Sequence, residues 1–129
     1  MNSSVVLSGV GLWTPPNKIT NEELVESYNA WADAYNAEHD ADIAAGKLDA
    51  KPHSSAEFIE KASGIKSRYI YCKDGALDIQ RMRPAIPERG EDEMSNQAEI
   101  AIEAAKLALA DANKTAADVD AVIVSCAYT

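Results

Sequence analysis

The sequence has little of several features that would assign a protein to a class at once. It contains two cysteines, Cys72 and Cys126, which lie far apart and lack the spacing of a metal-binding motif, and only 6% of its residues are aromatic. No run approaches the roughly 18 apolar residues that cross a bilayer. Residues 1–20 lack the basic start and apolar core of a signal peptide. We therefore expect a cytoplasmic protein with reduced thiols, no metal site and no membrane contact.

Basic residues are also scarce, because 12 Lys and Arg stand against 21 Asp and Glu, for a net charge of −9. Such a chain is not expected to bind nucleic acid. The charge is uneven: residues 21–60 carry ten acids and two bases, residues 61–90 three acids and seven bases, and residues 91–129 eight acids and two bases. The basic segment 61–90 could receive phosphates or an acidic carrier protein, or its side chains could pair with the acidic helices beside it.

What the sequence does contain is an alternation of strand-like and helix-like segments. Residues 4–12 and 119–126 are apolar and β-branched, which predicts two buried strands. Gly9 and Gly11 in the first of them would allow a bend or the close approach of another backbone. Strands that alternate with helices in this way are typical of an α/β fold.

A long helix is predicted to begin at Thr20. Thr20 and Glu23 have the spacing of a capping box, in which each side chain bonds to the other's backbone N–H. Helical periodicity continues to about Ala45. The apolar side chains on one face are expected to pack in the core rather than to form a ligand site; they are Leu24, Tyr28, Trp31 and Tyr35.

Residues 56–71 predict a compact corner made of a short helix, a stop and a strand. Gly64 follows Ser63 where the helix should end, since glycine adopts the left-handed conformation at little cost. Residues 65–71 then alternate as a strand does. Further on, the Ala-rich segment 93–112 predicts a helix that packs closely against a neighbour.

These segments resemble, in order and spacing, the N-terminal portion of the β-ketoacyl-acyl-carrier-protein synthase III family within the thiolase-like superfamily. The corner is similar to the family motif Trp-x-x-x-Arg-Thr-Gly-Ile-x-x-Arg. The other matching segments are Ser8-Gly9-Val10-Gly11 with Trp13-Thr14-Pro15, Thr20-Asn21-Glu22-Glu23-Leu24, and Ala98 to Ala112 followed by Val119 to Ser125.

The resemblance implies a thiolase-like layered fold, of which residues 1–129 would form the N-terminal part of the first βαβ half, with a mixed central sheet. Two segments, near 36–53 and 73–92, exceed the length found in the shortest family members. They predict a branch of the family with altered substrate or partner surfaces.

The resemblance also implies an acyltransferase of fatty acid biosynthesis. Members transfer an acyl group from coenzyme A to a cysteine and then condense it with malonyl-acyl carrier protein, with loss of carbon dioxide. The expected partners are therefore acyl-CoA or another acyl thioester, malonyl-acyl carrier protein, the remainder of the same enzyme and a second subunit in a homodimer, with no resident cofactor. The family's catalytic Cys, His and Asn lie beyond these residues, so no catalytic residue is expected in this chain.

Within the corner, the family's Trp and Arg-Thr residues contact the adenine and phosphate end of coenzyme A. Phe58 takes the Trp position, Ser63 takes the Thr position, and Ala62 replaces the Arg with Lys61 as its neighbour. With Arg68, these residues (Phe58, Lys61 and Ser63) form the predicted substrate-binding set. The alternative is that Phe58 belongs to the core and Lys61 is a solvated charge.

The connection 72–93 is a long irregular segment in which Arg81 and Arg83 flank a methionine. Loops of this length are often functional, so both arginines are candidates for a partner contact. Two other functions stay open. One is a non-catalytic α/β module that docks an acidic partner, and the other is a different condensing enzyme of the superfamily, for long-chain acyl condensation or of the methylglutaryl-CoA synthase kind.

Overall fold

A computed structural model describes residues 4–126, which belong to two compact units. One unit comprises Pro15–Pro87, and the other comprises Met1–Thr14 together with Glu88–Thr129. The elements in chain order are β1 (Asn17–Thr20), α1 (Asn21–Glu38), α2 (Asp40–Ala44), α3 (Ala56–Ser63), β2 (Ser67–Ile70) and α4 (Asn96–Asp111), followed by a 3₁₀ turn at Ala116–Asp118. The predicted α/β class is confirmed, since the chain contains both helices and a sheet.

The small sheet of the first unit closes the corner predicted from residues 56–71. β1 and β2 pair antiparallel, with Asn17 opposite Ile70 and Thr20 opposite Ser67. Next to the sheet, the Asn21 side chain is 2% exposed and donates to the Ile65 carbonyl over 2.7 Å. This bond fixes the turn between α3 and β2 against the start of α1.

The predicted start of α1 is confirmed, including both halves of the capping box. Thr20 Oγ1 accepts from the Glu23 backbone N–H at 3.3 Å, and Glu23 Oε2 accepts from the Thr20 N–H at 2.9 Å. Lys73 Nζ lies 2.5 Å from Glu23 Oε1. The hydrogen bond from Lys73, followed by that from the Thr20 amide, lowers the pKa of Glu23. At the start of the helix, the Glu23 carboxylate therefore bonds both to the local cap residue Thr20 and to the distant Lys73.

The apolar stripe of α1 is half-buried instead of forming a closed core. Among the apolar residues of this helix, Ala32 is the one that is fully covered, at 0% exposure. The aromatic rings contact one another at tilted angles along the helix surface, with centroids 5.7 Å apart for Tyr28 and Trp31 and 5.5 Å apart for Trp31 and Tyr35. A small unit buries little, so these rings cover one another and leave the fully enclosed positions to small side chains.

The predicted end of α3 at Gly64 is confirmed. Gly64 has φ of 72°, in the left-handed region, and its N–H donates to the Glu60 carbonyl. At the other end, Ser55 caps the helix, because its Oγ accepts from the Phe58 N–H over 3.1 Å. Eight residues between two strong caps give a helix with fixed ends.

In the second unit, α4 begins three residues later than the apolar pattern predicted. Ser95 Oγ accepts from the Ala98 N–H at 3.2 Å and so sets the first turn at Asn96. Asn113, with φ of 53°, lies in the left-handed conformation just beyond the end of the helix. A second capping box joins Thr115 and Asp118, and the Thr115 backbone and hydroxyl donors lower the pKa of Asp118.

The two predicted strands at 4–12 and 119–126 are wrong for the part of the chain that the structure describes. The sheet contains β1 and β2, and neither apolar segment pairs with it. A strand requires a neighbour for its backbone hydrogen bonds, and these segments have none in the described range. Their side chains are correspondingly exposed, with Val5 at 98% and Ile123 at 95%. The mixed central sheet is therefore not observed.

The glycines of the first segment do make the close approach that was predicted. A Cβ added at Gly9 would lie 2.5 Å from the Ala108 carbonyl oxygen, and one at Gly11 would meet the backbone of Ala104. Val10 N donates to Asp111 Oδ2 over 2.9 Å. The Ala-rich helix α4 thus packs tightly against an extended segment of its own unit. None of the helices within residues 4–126 is long and apolar enough to cross a membrane.

Candidate functional site

A groove of about 820 Å³ opens between α1 and α3 in the first unit. Most of its lining is apolar or aromatic, with a few hydroxyls and one imidazole. The lining residues are Leu24, Val25, Ser27, Tyr28, Pro52, His53, Ser54, Ser55, Phe58, Ile59, Ala76 and Met82. A concave apolar surface with a few polar groups is the usual form of a small-molecule site.

Helical spacing accounts for the floor of the groove. Leu24 and Tyr28 lie four residues apart on α1, so they share a face of that helix. Phe58 and Ile59 come from the first half of α3. Phe58 is 66% exposed, and in this chain it is therefore not a core residue. Its ring is open to a planar or apolar ligand.

Two irregular segments supply the walls. Residues 52–55 form one wall, and Ala76 and Met82 contribute to the other. Ser27, which is nearly buried, donates to the Leu77 carbonyl over 2.8 Å and ties the second segment to α1. Met82 has φ of 48°, a left-handed conformation, in a turn that also carries Arg81. Both walls draw on the segments that the sequence predicted to be longer than in the shortest family members.

Of the four predicted substrate-binding residues, Phe58 is the one that lines the groove. Lys61 is exposed on α3, one turn beyond Phe58. The Ser63 hydroxyl donates to the Ile59 carbonyl at 2.7 Å and accepts from the Ile65 N–H at 3.2 Å, so it closes the helix end.

Arg68 lies apart from the groove, half-buried on β2. Its Nη2 donates to Asn21 Oδ1 over 3.2 Å, while Nη1 is buried and has no hydrogen-bond partner among the described residues. The structure therefore connects Arg68 to the buried Asn21 and the corner and does not bring it into the groove lining.

The predicted partner residues Arg81 and Arg83 flank the groove residue Met82. Arg81 Nε donates to the Arg83 carbonyl at 3.3 Å, and the Arg83 N–H donates to the Gly75 carbonyl at 3.2 Å. Both side chains are exposed, and within residues 4–126 no carboxylate forms an ion pair with either. Their charges are thus available at the surface.

Apart from Arg68, which bonds to Asn21, the basic side chains of segment 61–90 form two groups. Three of its side chains pair with acids: Lys66 with Glu60 at 3.3 Å, Lys73 with Glu23 at 2.5 Å, and Arg89 with Glu99 at 2.6 Å. Lys61, Arg81 and Arg83 make no such pair in the described part of the chain. The pairing interpretation is therefore confirmed for Lys66, Lys73 and Arg89, while the phosphate or carrier interpretation stays a prediction for the unpaired residues.

Neither cysteine belongs to the groove. Cys72 is half-buried and its Sγ lies 3.7 Å from the Ala85 carbonyl oxygen, while Cys126 is exposed. No group of three or more metal-binding side chains is found between residues 4 and 126.

Sequence reasoning missed the polar contacts that hold the first wall. His53 Nε2 lies 2.7 Å from Asp33 Oδ1 on α1. Asn29 and Asn36, on the same helix, bond to the backbone at Ser54 and Lys51. The available signal was the helical spacing of the three α1 residues, whose partners lie up to 25 residues further along the chain.

Comparison with known proteins finds a curated synthase that is similar to this chain. The chain is 52% identical over 102 residues to a beta-ketodecanoyl-[acyl-carrier-protein] synthase of Pseudomonas aeruginosa. The match covers 79% of this chain and 29% of that relative, so the chain spans less than a third of the relative's length. No protein-family model matches the chain. The predicted resemblance to the β-ketoacyl-acyl-carrier-protein synthases is confirmed by this relative.

Proposed function

We propose that this chain, related over most of its length to a β-ketoacyl-acyl-carrier-protein synthase, is part of a synthase III-type acyltransferase of fatty acid biosynthesis. The observation that carries the proposal is the 52% identity over 102 residues. The relative is named for a ketodecanoyl product, and we extend this to the present protein. Decarboxylative condensation adds two carbons, so the donor would be an octanoyl thioester.

The proposed reaction has two balanced steps. A cysteine thiolate attacks the acyl thioester carbonyl and expels the thiolate of coenzyme A. Malonyl-acyl carrier protein then loses carbon dioxide, and the resulting enolate carbon attacks the acyl-enzyme, which releases the cysteine thiolate and forms the β-ketoacyl product. We place the reacting cysteine and its His and Asn partners outside the 129 residues. The contribution of this chain would be to bind the donor and the carrier.

The groove supports a role in donor binding. Coenzyme A joins a planar adenine and several phosphates to a flexible, weakly polar arm. The exposed ring of Phe58 offers a stacking surface for adenine, and the apolar floor suits the arm. Lys61, Arg81 and Arg83 lack ion-pair partners in the described range and would attract the phosphates.

The same charges support a role in carrier docking, since acyl carrier protein was expected as an acidic partner. Arg81 and Arg83 are exposed beside the groove residue Met82. A carrier that docks there would lie next to the bound donor. We further propose that the whole enzyme is a cytoplasmic homodimer with the thiolase-like fold. In that fold, the exposed segments 4–12 and 119–126 would find their strand partners.

The proposal is tested by assaying the full-length polypeptide that carries these residues. With octanoyl-CoA and malonyl-acyl carrier protein, we expect β-ketodecanoyl-acyl carrier protein, identified by intact-protein mass spectrometry. A reaction without octanoyl-CoA should lack this product. The absence of any β-ketoacyl product with donors of two to twelve carbons would overturn the assignment.

A further inference from the structure

Residues 51–54, which we call the strap, run beside α1 and supply part of the first wall of the groove. Pro52, His53 and Ser54 all line the groove. The strap contains no helix or strand, so its position depends on bonds to other parts of the unit.

Two asparagines of α1 bind the strap backbone in the same manner. The Asn36 side chain donates to the Lys51 carbonyl at 2.9 Å and accepts from the Lys51 N–H at 2.8 Å. The Asn29 side chain donates to the Ser54 carbonyl at 3.2 Å and accepts from the Ser54 N–H at 2.8 Å. Each amide therefore satisfies both backbone groups of one residue, as a neighbouring β-strand would do.

The bonds share one face of α1. Asn29, Asp33 and Asn36 follow at positions i, i+4 and i+7, which lie in line along a helix. Asp33 contacts His53 between the two asparagine bonds, at 2.7 Å. Lys51 also places its ammonium group 5.2 Å from the centre of the Tyr35 ring. Four contacts thus hold three of the four strap residues, Lys51, His53 and Ser54.

The strap leads directly into α3 and Phe58. Ser55 follows Ser54, and its hydroxyl caps the helix by accepting from the Phe58 N–H. The location of Ser54, fixed by Asn29, therefore determines where α3 begins. Through this connection, the bonds to the strap determine the position of one wall of the groove. They also determine where the Phe58 backbone lies, and so where its ring enters the groove.

We propose that Asn29 and Asn36 are positioning residues that hold the strap in its ligand-binding conformation before the thioester donor arrives. This inference rests on the proposed function of the groove as a donor site. Ordering a released strap would cost conformational entropy at each binding event. The loss of either asparagine should therefore weaken donor binding, while the chemical step, which uses other residues, keeps its rate.

The test uses the full-length polypeptide with Asn29→Ala or Asn36→Ala. We expect the Kd for coenzyme A, measured by calorimetry, and the KM for octanoyl-CoA to rise about tenfold, equivalent to about 1.4 kcal/mol, with kcat unchanged. Hydrogen exchange should accelerate at the Ser54 N–H in the first variant and at the Lys51 N–H in the second. Asn36→Asp keeps the acceptor for the Lys51 N–H and removes the donor, so it should give an intermediate KM.

Glu38→Ala is the matched control, because Glu38 lies on α1 and its side chain has no bond to the strap in the described residues. It should change neither exchange nor KM. Faster exchange with an unchanged Kd in both alanine variants would overturn the positioning role, and so would unchanged exchange. Phe58→Ala separates the positioning role of the two asparagines from the proposed role of the groove in donor binding. If it weakens coenzyme A binding while the strap variants do not, the positioning role alone fails; if the wild-type protein binds no coenzyme A, both fail.

Discussion

At the scale of single residues, Glu23 links the start of α1 to a segment 50 residues away. One carboxylate oxygen accepts from the Thr20 N–H and the other from Lys73. These donors stabilise the ionised form, which is why the pKa of Glu23 is lowered. Since the folded pKa lies below the ordinary value of 4.5, the resulting stability is present above that pH and is lost as the pH falls through the folded pKa.

Glu23→Gln should therefore destabilise the protein at pH 7 and have little effect at pH 3. Glutamine can still complete the capping box, so the variant removes the charge that attracts Lys73. The measurement is the midpoint of urea unfolding, monitored by circular dichroism at both pH values. Glu38→Gln, at an exposed position of the same helix, should show no difference at either pH. An equal loss of stability at pH 3 and pH 7 would contradict the charge mechanism.

Gly64 offers a second test at this scale. Its φ of 72° is unfavourable for a residue with a Cβ, although an added Cβ would meet no atom within 4 Å. Gly64→Ala should cost about 1 kcal/mol of unfolding free energy through the backbone alone. Gly90→Ala is the control, since Gly90 does not have a positive φ and its nearest neighbour would lie at 3.7 Å. Equal effects at the two positions would argue against the conformational explanation.

At the scale of elements, α3 carries the ring that we assign to the donor. Phe58→Ala should raise the KM for the acyl-CoA donor about tenfold, because one stacking contact is worth about 1–2 kcal/mol. The measurement is steady-state kinetics with the full-length polypeptide. Tyr69→Ala removes an exposed ring from β2 that does not line the groove, and it should leave the KM unchanged. A lowered stability with an unchanged KM for Phe58→Ala would indicate a packing role.

The loop between β2 and α4 carries the proposed carrier contact. Arg81→Glu combined with Arg83→Glu should raise the KM for malonyl-acyl carrier protein at least fivefold at low salt, and the effect should shrink as ionic strength rises. Lys106→Glu on α4 is a suitable control, since Lys106 is already paired with Glu103 at 2.6 Å. A salt-independent change would count against electrostatic docking.

The elements that the sequence predicted well are those decided by local bonds. The Thr20 cap and the Gly64 stop each depend on residues within about one helical turn, so a short stretch contains the necessary information. The strands at 4–12 and 119–126 failed because a strand is defined by its partner. The groove could not be foreseen either, because its walls join segments such as 52–55 and Met82 that only tertiary packing brings together.

At the scale of the whole molecule, we propose that the residues described here contribute donor and carrier binding, while the reacting groups lie elsewhere in the enzyme. Cys72 contacts a backbone carbonyl and Cys126 is exposed, and neither lines the groove. We therefore expect residues 1–129, produced by themselves, to form no β-ketoacyl-acyl carrier protein from octanoyl-CoA and malonyl-acyl carrier protein. The same mass-spectrometric assay applies, with the full-length polypeptide as the positive control. Turnover by the 129-residue chain would mean that one of its own thiols is the nucleophile.

The exposed apolar segments 4–12 and 119–126 also affect how this polypeptide behaves in solution. Segments such as Val5–Leu7 and Val122–Val124 combine β-branched side chains with no charge and with unpaired backbone groups in the described range. Such stretches add readily to each other in neighbouring molecules and seed fibrillar or amorphous deposits. Work at high concentration therefore requires a lysine substitution within one of these segments or a solubilising fusion. Co-production with the remainder of the enzyme, which we propose covers them, is the third option.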